Sequence, residues 1–136
     1  MNRPLPSVFQ HSDWTTIPAE QIGQGIERQM IWGNQLMVCR LRIAPRVVTA
    51  VHAHPHEQFT IVERGTVRFT VAGEDRLSSA GDILHFPSHC EHGATMLDEE
   101  VVLIDIFSPV RQDFFEHRLT TNDQRLTTND YGEGTL

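Results

Sequence analysis

Three glycines, at positions 65, 73 and 81, stand eight residues apart. Each interval holds one short strand and its turn. Between the first two, Val67, Phe69 and Val71 alternate with Thr66, Arg68 and Thr70. Successive side chains of a strand point to opposite faces, so this segment has an apolar face backed by a polar one. The same grain runs through the chain. Residues 25–43 read as two strands joined at Gly33-Asn34, a dipeptide that hairpins use. Residues 47–54, VVTAVHAH, are β-branched and extended, and 58–77 form a meander. Residues 81–87 and 92–96 add two more strands, and 99–107, EEVVLIDIF, has the composition of a buried one. Helix is expected only near 111–118. Seven or more short strands without a long amphipathic helix predict an all-β sandwich or barrel.

The chain has 136 residues, enough for one domain with a hydrophobic core. We expect an N-terminal arm with edge strands over 1–24, a barrel over 25–117 and a polar tail over 118–136. In that tail RLTTNDQ is followed at once by RLTTNDY. Two copies are too few for a solenoid, and the segment reads as a polar tail or an arm on a neighbouring subunit.

Charge and composition exclude several functions. All eleven cations are arginine, so no lysine Schiff base can form with a carbonyl substrate. A net charge of −7 with no basic run argues against nucleic acid. No apolar run approaches the ~20 residues of a membrane span, and the start lacks the apolar core of a signal peptide. With Cys39 and Cys90 read as reduced thiols, the expected compartment is the cytoplasm.

One stretch carries chemistry: HAHPHEQFTIVERG, 52–65. His52 and His54 are two apart on an extended segment and share a face, which makes them a pair of metal ligands. Gln58 opens the next strand and shares a face with Thr60 and Val62. His92 opens another strand. Three imidazoles and one amide can therefore converge inside a barrel. His56 has the same parity as His54, but the turn after Pro55 is expected to carry it outward. Glu57 would replace Gln58 only if the strand slipped by one residue, which would turn it the other way. His85 is expected to pack or hydrogen-bond, and His89 to flank the site.

The spacing resembles the cupin superfamily. His52-x-His54, three residues, Gln58, six residues, Gly65 fits its first motif, where glutamate more often stands at Gln58. Gly81, five residues, Pro87, four residues, His92 fits the second. Met96 stands where asparagine is usual, and reads as core packing. The resemblance covers roughly residues 35 to 110. It implies a single-domain cupin jelly-roll β-barrel with short terminal arms, holding one divalent metal ion. Three imidazoles and an amide add no charge, so a divalent ion keeps its full +2 as a Lewis acid. The two-histidine, one-carboxylate set of non-haem iron oxygenases is absent. Zn, Ni, Mn or Fe(II) acting without redox change fits this shell.

A second constellation is DIFSPVRQDF, 105–114. Asp105 sits inside an apolar strand, where a carboxylate is costly unless paired or functional. Arg111 is its partner, or Asp113's, or binds a substrate carboxylate. Together with His52, His54, Gln58 and His92, this segment resembles the small single-domain cupins of the KdgF type. That resemblance implies ring opening of 4,5-unsaturated uronates from pectin or alginate breakdown. The four metal ligands would then be joined by Asp105, Phe107 and Arg111 as active-site residues, on a small carboxylated substrate. Other readings are a metal-dependent dioxygenase or lyase on a small acid, a non-catalytic binding module, and a barrel with a purely structural metal. Cupins of this size are usually homodimers, because their edge strands need covering.

Overall fold

The computed structural model describes residues 9–119, with side chains to 115. Nine strands precede one helix: β1 (Glu20–Gly23), β2 (Ile26–Trp32), β3 (Met37–Ile43), β4 (Glu57–Arg64), β5 (Thr66–Val71), β6 (Glu74–Ser79), β7 (Ile83–Phe86), β8 (His92–Met96), β9 (Val101–Ser108) and α1 (Gln112–Leu119). The order β1-β2-β3-β9-β4-β7 makes a six-stranded sheet, and β6-β5-β8 a three-stranded one. Every named pairing is antiparallel. The fold is the expected all-β jelly roll. Among the described residues, no helix is long and apolar enough to cross a membrane.

Alternation sets the inner face. Met37, Cys39, Leu41 and Ile43 of β3 point inward, as do Val101, Leu103, Asp105 and Phe107 of β9. Val67 and Phe69 close the core from the second sheet, with Met96 buried beside them as expected. Burying one such side chain contributes about 1.5–3 kcal/mol. Gly65, Gly73 and Gly81 all have positive φ, so the eight-residue spacing marks turns. At Gly65 the constraint is double, because a Cβ there would meet the Glu100 carbonyl oxygen at 2.6 Å.

Two local expectations change. Trp32 pairs with Met37, so the β2–β3 connection is a four-residue loop, 33–36, closed by Gly33 N–H to Leu36 O (2.8 Å). Gly33 does not adopt the positive φ that a tight Asn-Gly-type turn demands. Residues 47–54 are not a continuous strand. They touch β8 through two bridges, Val48 to Thr95 and His52 to His92. Four steps on one side match three on the other, so one extra residue is inserted, a bulge. The expected tail lies outside the described residues beyond its first two, which end α1.

Helix α1 covers one end of the six-stranded sheet. Phe114 and Phe115 bury themselves against Met30, Met37, Cys39 and Phe107, with Trp32 edge-on to Phe115. On the outer face of the same sheet, Ile31, Val38, Ile106 and Phe59 are cross-strand neighbours. Ile104, Ile61 and Ile83 form a second such row.

Candidate metal centre

The bulge explains how the histidine pair faces inward. Before it, Thr49 is buried and donates its N–H to Ala94 O (2.8 Å). After it, parity switches and His52 and His54 point into the barrel. Gly93 opposes the bulge, and a Cβ there would meet Thr49 O and Val51 Cα, both at 3.1 Å. The absence of a side chain at residue 93 gives the strand room for this close approach. His89 donates its backbone N–H to His54 O (2.7 Å), while its ring stays exposed.

His52, His54 and His92 form a group whose ligand atoms all lie within 4.8 Å of one another, close enough to hold a metal ion. Each ring is oriented by a backbone carbonyl two residues away. Nδ1 of His52 meets Ala50 O (3.1 Å), that of His54 meets His56 O (3.0 Å), and that of His92 meets Cys90 O (2.9 Å). Donation from Nδ1 leaves Nε2 as a lone pair, the arrangement that metal-binding imidazoles use. Phe86 stacks on His92 at 4.4 Å and fixes its plane.

His54 provides the test of fit. Its Nε2 lies 3.0 Å from Gln58 Oε1, and its Nδ1 lies 3.0 Å from His56 O. Burial first, then the charges of Arg111 and His92, push its pKa down to about 3, so the ring carries one proton at neutral pH. One proton cannot serve two oxygens. Whichever nitrogen holds it, the other directs a lone pair at an acceptor. A cation at Nε2 and Oε1 removes that conflict, so the residues fit a metal.

Gln58 is buried and turned by its neighbours. Its Nε2 donates to Thr60 Oγ1 (2.9 Å), and Thr60 donates to Asp105 Oδ1 (2.6 Å). Asp105 is wholly buried, and its Oδ2 has no hydrogen-bond partner among the described residues. Burial pushes its pKa up to about 7, against the downward pull of the Thr60 hydroxyl, Arg111 and Gln58. Phe107 lies edge-on to His54 at 5.8 Å. Arg111 is buried, with its Nε–Nη2 edge on Asp113 at 2.9 and 2.6 Å. Burial alone would raise the Asp113 pKa, but this bidentate bond and the Arg111 charge hold it below the usual range. Of the partners open to Arg111, the bidentate one is therefore Asp113.

Glu57 lies outside the barrel on His85 (2.7 Å), and Phe59 packs on the same ring, as parity demands. His56 departs from expectation. Its ring is edge-on to His54 at 5.4 Å, and its Nδ1 is buried without a hydrogen-bond partner. Burial and Arg111 lower its pKa. The turn after Pro55 thus keeps it half-buried beside His54 rather than outside. Arg28 was not expected. It is buried on the inner face of β2 between Ile26 and Met30, 4.0 Å over the Phe114 ring, and 3.5 Å from Glu20. Arg111 lies 4.3 Å from the same ring. The signal was present, since Arg28 has the parity of two apolar neighbours.

The Cupin domain family model matches residues 39–107. The chain is a cupin of the KdgF type. Pectin degradation protein KdgF of Dickeya dadantii (strain 3937) is 36% identical over 99 residues, spanning 71% of this chain and 90% of that protein. The solved structure of KdgF from Halomonas sp. is 28% identical with a TM-score of 0.75, covering 79% of this chain and 99% of that one. An RmlC-like cupin from Shewanella frigidimarina NCIMB 400 is 34% identical with a TM-score of 0.74, covering 79% and 96%.

Proposed function

We propose that this cupin catalyses ring opening and ketonisation of 4,5-unsaturated uronates from pectin or alginate breakdown. The observation that carries the reading is the juxtaposition of an uncharged metal-ligand cluster with a buried carboxyl poised near neutrality. Its likeness to KdgF supports the substrate class.

His52, His54, Gln58 and His92 would hold one divalent ion, and its chemistry is Lewis acidity toward an anionic oxygen. The protein's own groups move the proton and place the substrate. Asp105 takes the proton of the anomeric hydroxyl on Oδ2. As C1=O forms, the C1–O5 bond breaks and the electron pair leaves on O5, giving an enolate. The proton returns from Asp105 to C4, and C5 becomes a ketone. Substrate and product are isomers, so no co-reactant is needed. A carboxyl with a pKa of about 7 serves both transfers. Arg111, held by Asp113 and the rings of Phe107 and Phe114, offers positive charge to the substrate carboxylate. Phe107 walls the site. Entry lies beside the half-buried His52 and His56.

The test is proton NMR of 4,5-unsaturated galacturonate with metal-loaded protein, against chelated protein and His92→Ala. Ring-proton signals should decay faster than in both controls while linear keto-acid signals rise. Equal decay, in protein holding one metal per chain, overturns the reading and favours an oxygen-using or binding cupin.

We further assign the chain as a homodimer of the cytoplasm. Two rows of outward isoleucine, valine and phenylalanine on the six-stranded sheet support the dimer, and two free thiols suit a reducing compartment. Phe59→Glu with Ile61→Arg should give a monomer by light scattering, and an unchanged mass would exclude this face.

A further inference from the structure

We infer that Thr60 is the positioning residue that makes Gln58 a metal ligand, and that its hydroxyl sets which end of the amide faces the ion. The inference rests on the metal site proposed above and concerns a residue that binds neither metal nor substrate.

The argument is one of donors and acceptors. A threonine hydroxyl has one proton to give and lone pairs to receive. The Thr60 proton goes to Asp105 Oδ1 at 2.6 Å, a short bond typical of a hydroxyl on a carboxylate. Toward Gln58, 2.9 Å away, Thr60 can then only accept. Only the NH2 end of an amide donates, so that end is pinned to Thr60. The oxygen is thereby aimed at His54 Nε2, 3.0 Å off. All three side chains are buried, with exposures of 1% for Gln58, 1% for Thr60 and 0% for Asp105, so water does not substitute for the hydroxyl.

Without that acceptor the NH2 end keeps only its pull on the Asp105 carboxylate, the weakest of the influences on that group, and the amide can turn over. Its NH2 would then face His54 Nε2 and donate to it. One rotation removes the oxygen ligand and also occupies a nitrogen ligand. A carboxylate at this position would have no wrong end, because both of its atoms are acceptors. The amide needs an orienting partner, and Thr60, two residues on along β4 and facing the same way, supplies it. Thr60 also holds Asp105 Oδ1, which leaves Oδ2 as the oxygen available for proton transfer.

The experiment is cobalt binding to the full chain, read by competition affinity and by the visible d–d spectrum, for wild type, Thr60→Val, Thr60→Ser and Thr60→Ala. Valine keeps the shape and removes the hydroxyl. We expect Thr60→Val to weaken cobalt binding about 10–100-fold and to shift the d–d bands. Thr60→Ser should restore both affinity and spectrum. If valine prevents folding, Thr60→Ala takes its place and should behave alike. Wild-type affinity and spectrum in folded Thr60→Val or Thr60→Ala overturn the inference while leaving the metal site standing. Failure of serine to rescue overturns it too, since any loss would then be one of packing. Wild-type protein that binds no cobalt removes the metal reading and this inference with it.

Discussion

The two ends of the barrel's inner face are equally buried, but only one of them carries polar side chains. Toward the end away from α1, Val62, Leu103 and Leu41 lie side by side across β4, β9 and β3. One step along the same strands, the neighbours are Thr60, Asp105 and Cys39, and one step further Gln58, Phe107 and Met37. Leu103 and Asp105 are both 0% exposed, so burial does not tell the ends apart. What differs is how burial is made tolerable. The apolar end gains from leaving water. The other end must satisfy each polar group internally, and it does so with a chain running from Asp105 through Thr60 to Gln58 and on to His54. Asp105 Oδ2 and His56 Nδ1 are among the buried side-chain atoms that stand outside that accounting.

The comparison predicts that equivalent substitutions at the two ends fail differently. Asp105→Asn keeps an acceptor for Thr60 and removes the titrating group. Turnover should fall about 10²–10⁴-fold, as when a general acid–base group is lost, with metal content unchanged. Loss of metal along with activity would instead make Asp105 a structural member of the shell. Two residues away, Leu103→Ala should cost about 2–5 kcal/mol in urea unfolding through a core cavity. Turnover per folded molecule should stay near wild type. If Leu103→Ala abolished turnover in folded protein, the two ends would not be separable.

Much of this division is legible in the amino-acid sequence, and the reason is parity. The alternation of Gln58, Thr60 and Val62, and of Val67, Phe69 and Val71, puts the right side chains inside. The glycines at 65, 73 and 81 turn the chain where their spacing says. What parity cannot reveal is a change of parity. The bulge between Val48 and His52 is given room by Gly93 in a distant strand, and nothing local to VVTAVHAH announces it. The pair faces inward because the bulge moves it there. Partner choice is equally out of reach. Arg111 has two carboxylates within range of its sequence, and only α1 places Asp113 on its Nε–Nη2 edge. Parity places Thr60 on the correct face, yet its role follows from a hydroxyl proton that only tertiary structure directs. Arg28 is readable as an inward arginine between Ile26 and Met30, and its stacking on Phe114 is not.

A smaller effect sharpens the comparison through pH. In metal-free protein, burial holds Asp105 near pH 7 against an ordinary value of 3.8. Between those values the folded protein keeps a proton that the unfolded chain has lost, so this group adds stability as pH falls. Burial holds His54 near 3 against 6.5. There the unfolded chain binds a proton that the folded protein refuses, so this group removes stability as pH falls. From about pH 6.5 to 4 the two oppose each other. Asp105→Asn deletes only the first. Its unfolding free energy should drop more steeply on acidification than wild type, by about 1.4 kcal/mol per pH unit for one proton. Urea titrations at pH 6.5, 5.5 and 4.5 with chelator measure it, and parallel slopes would mean that Asp105 is ionised in the folded protein.

The smallest predicted effect tests parity itself. Glu57 precedes Gln58 and is chemically the stronger metal ligand, but it lies on the outer face with His85, at side-chain exposures of 55% and 42%. An exposed pair of this kind is worth about 0–1 kcal/mol. Glu57→Gln should therefore move stability by no more than that and leave metal affinity untouched. Gln58→Glu, one residue on, should instead tighten cation binding, because it brings a negative charge into the shell and needs no Thr60 to choose its oxygen. Isothermal titration with zinc compares the two. Equal changes would mean that β4 can slip by one residue. A change confined to position 58 would show that the strand's register, rather than the supply of carboxylates nearby, decides which side chain the metal meets.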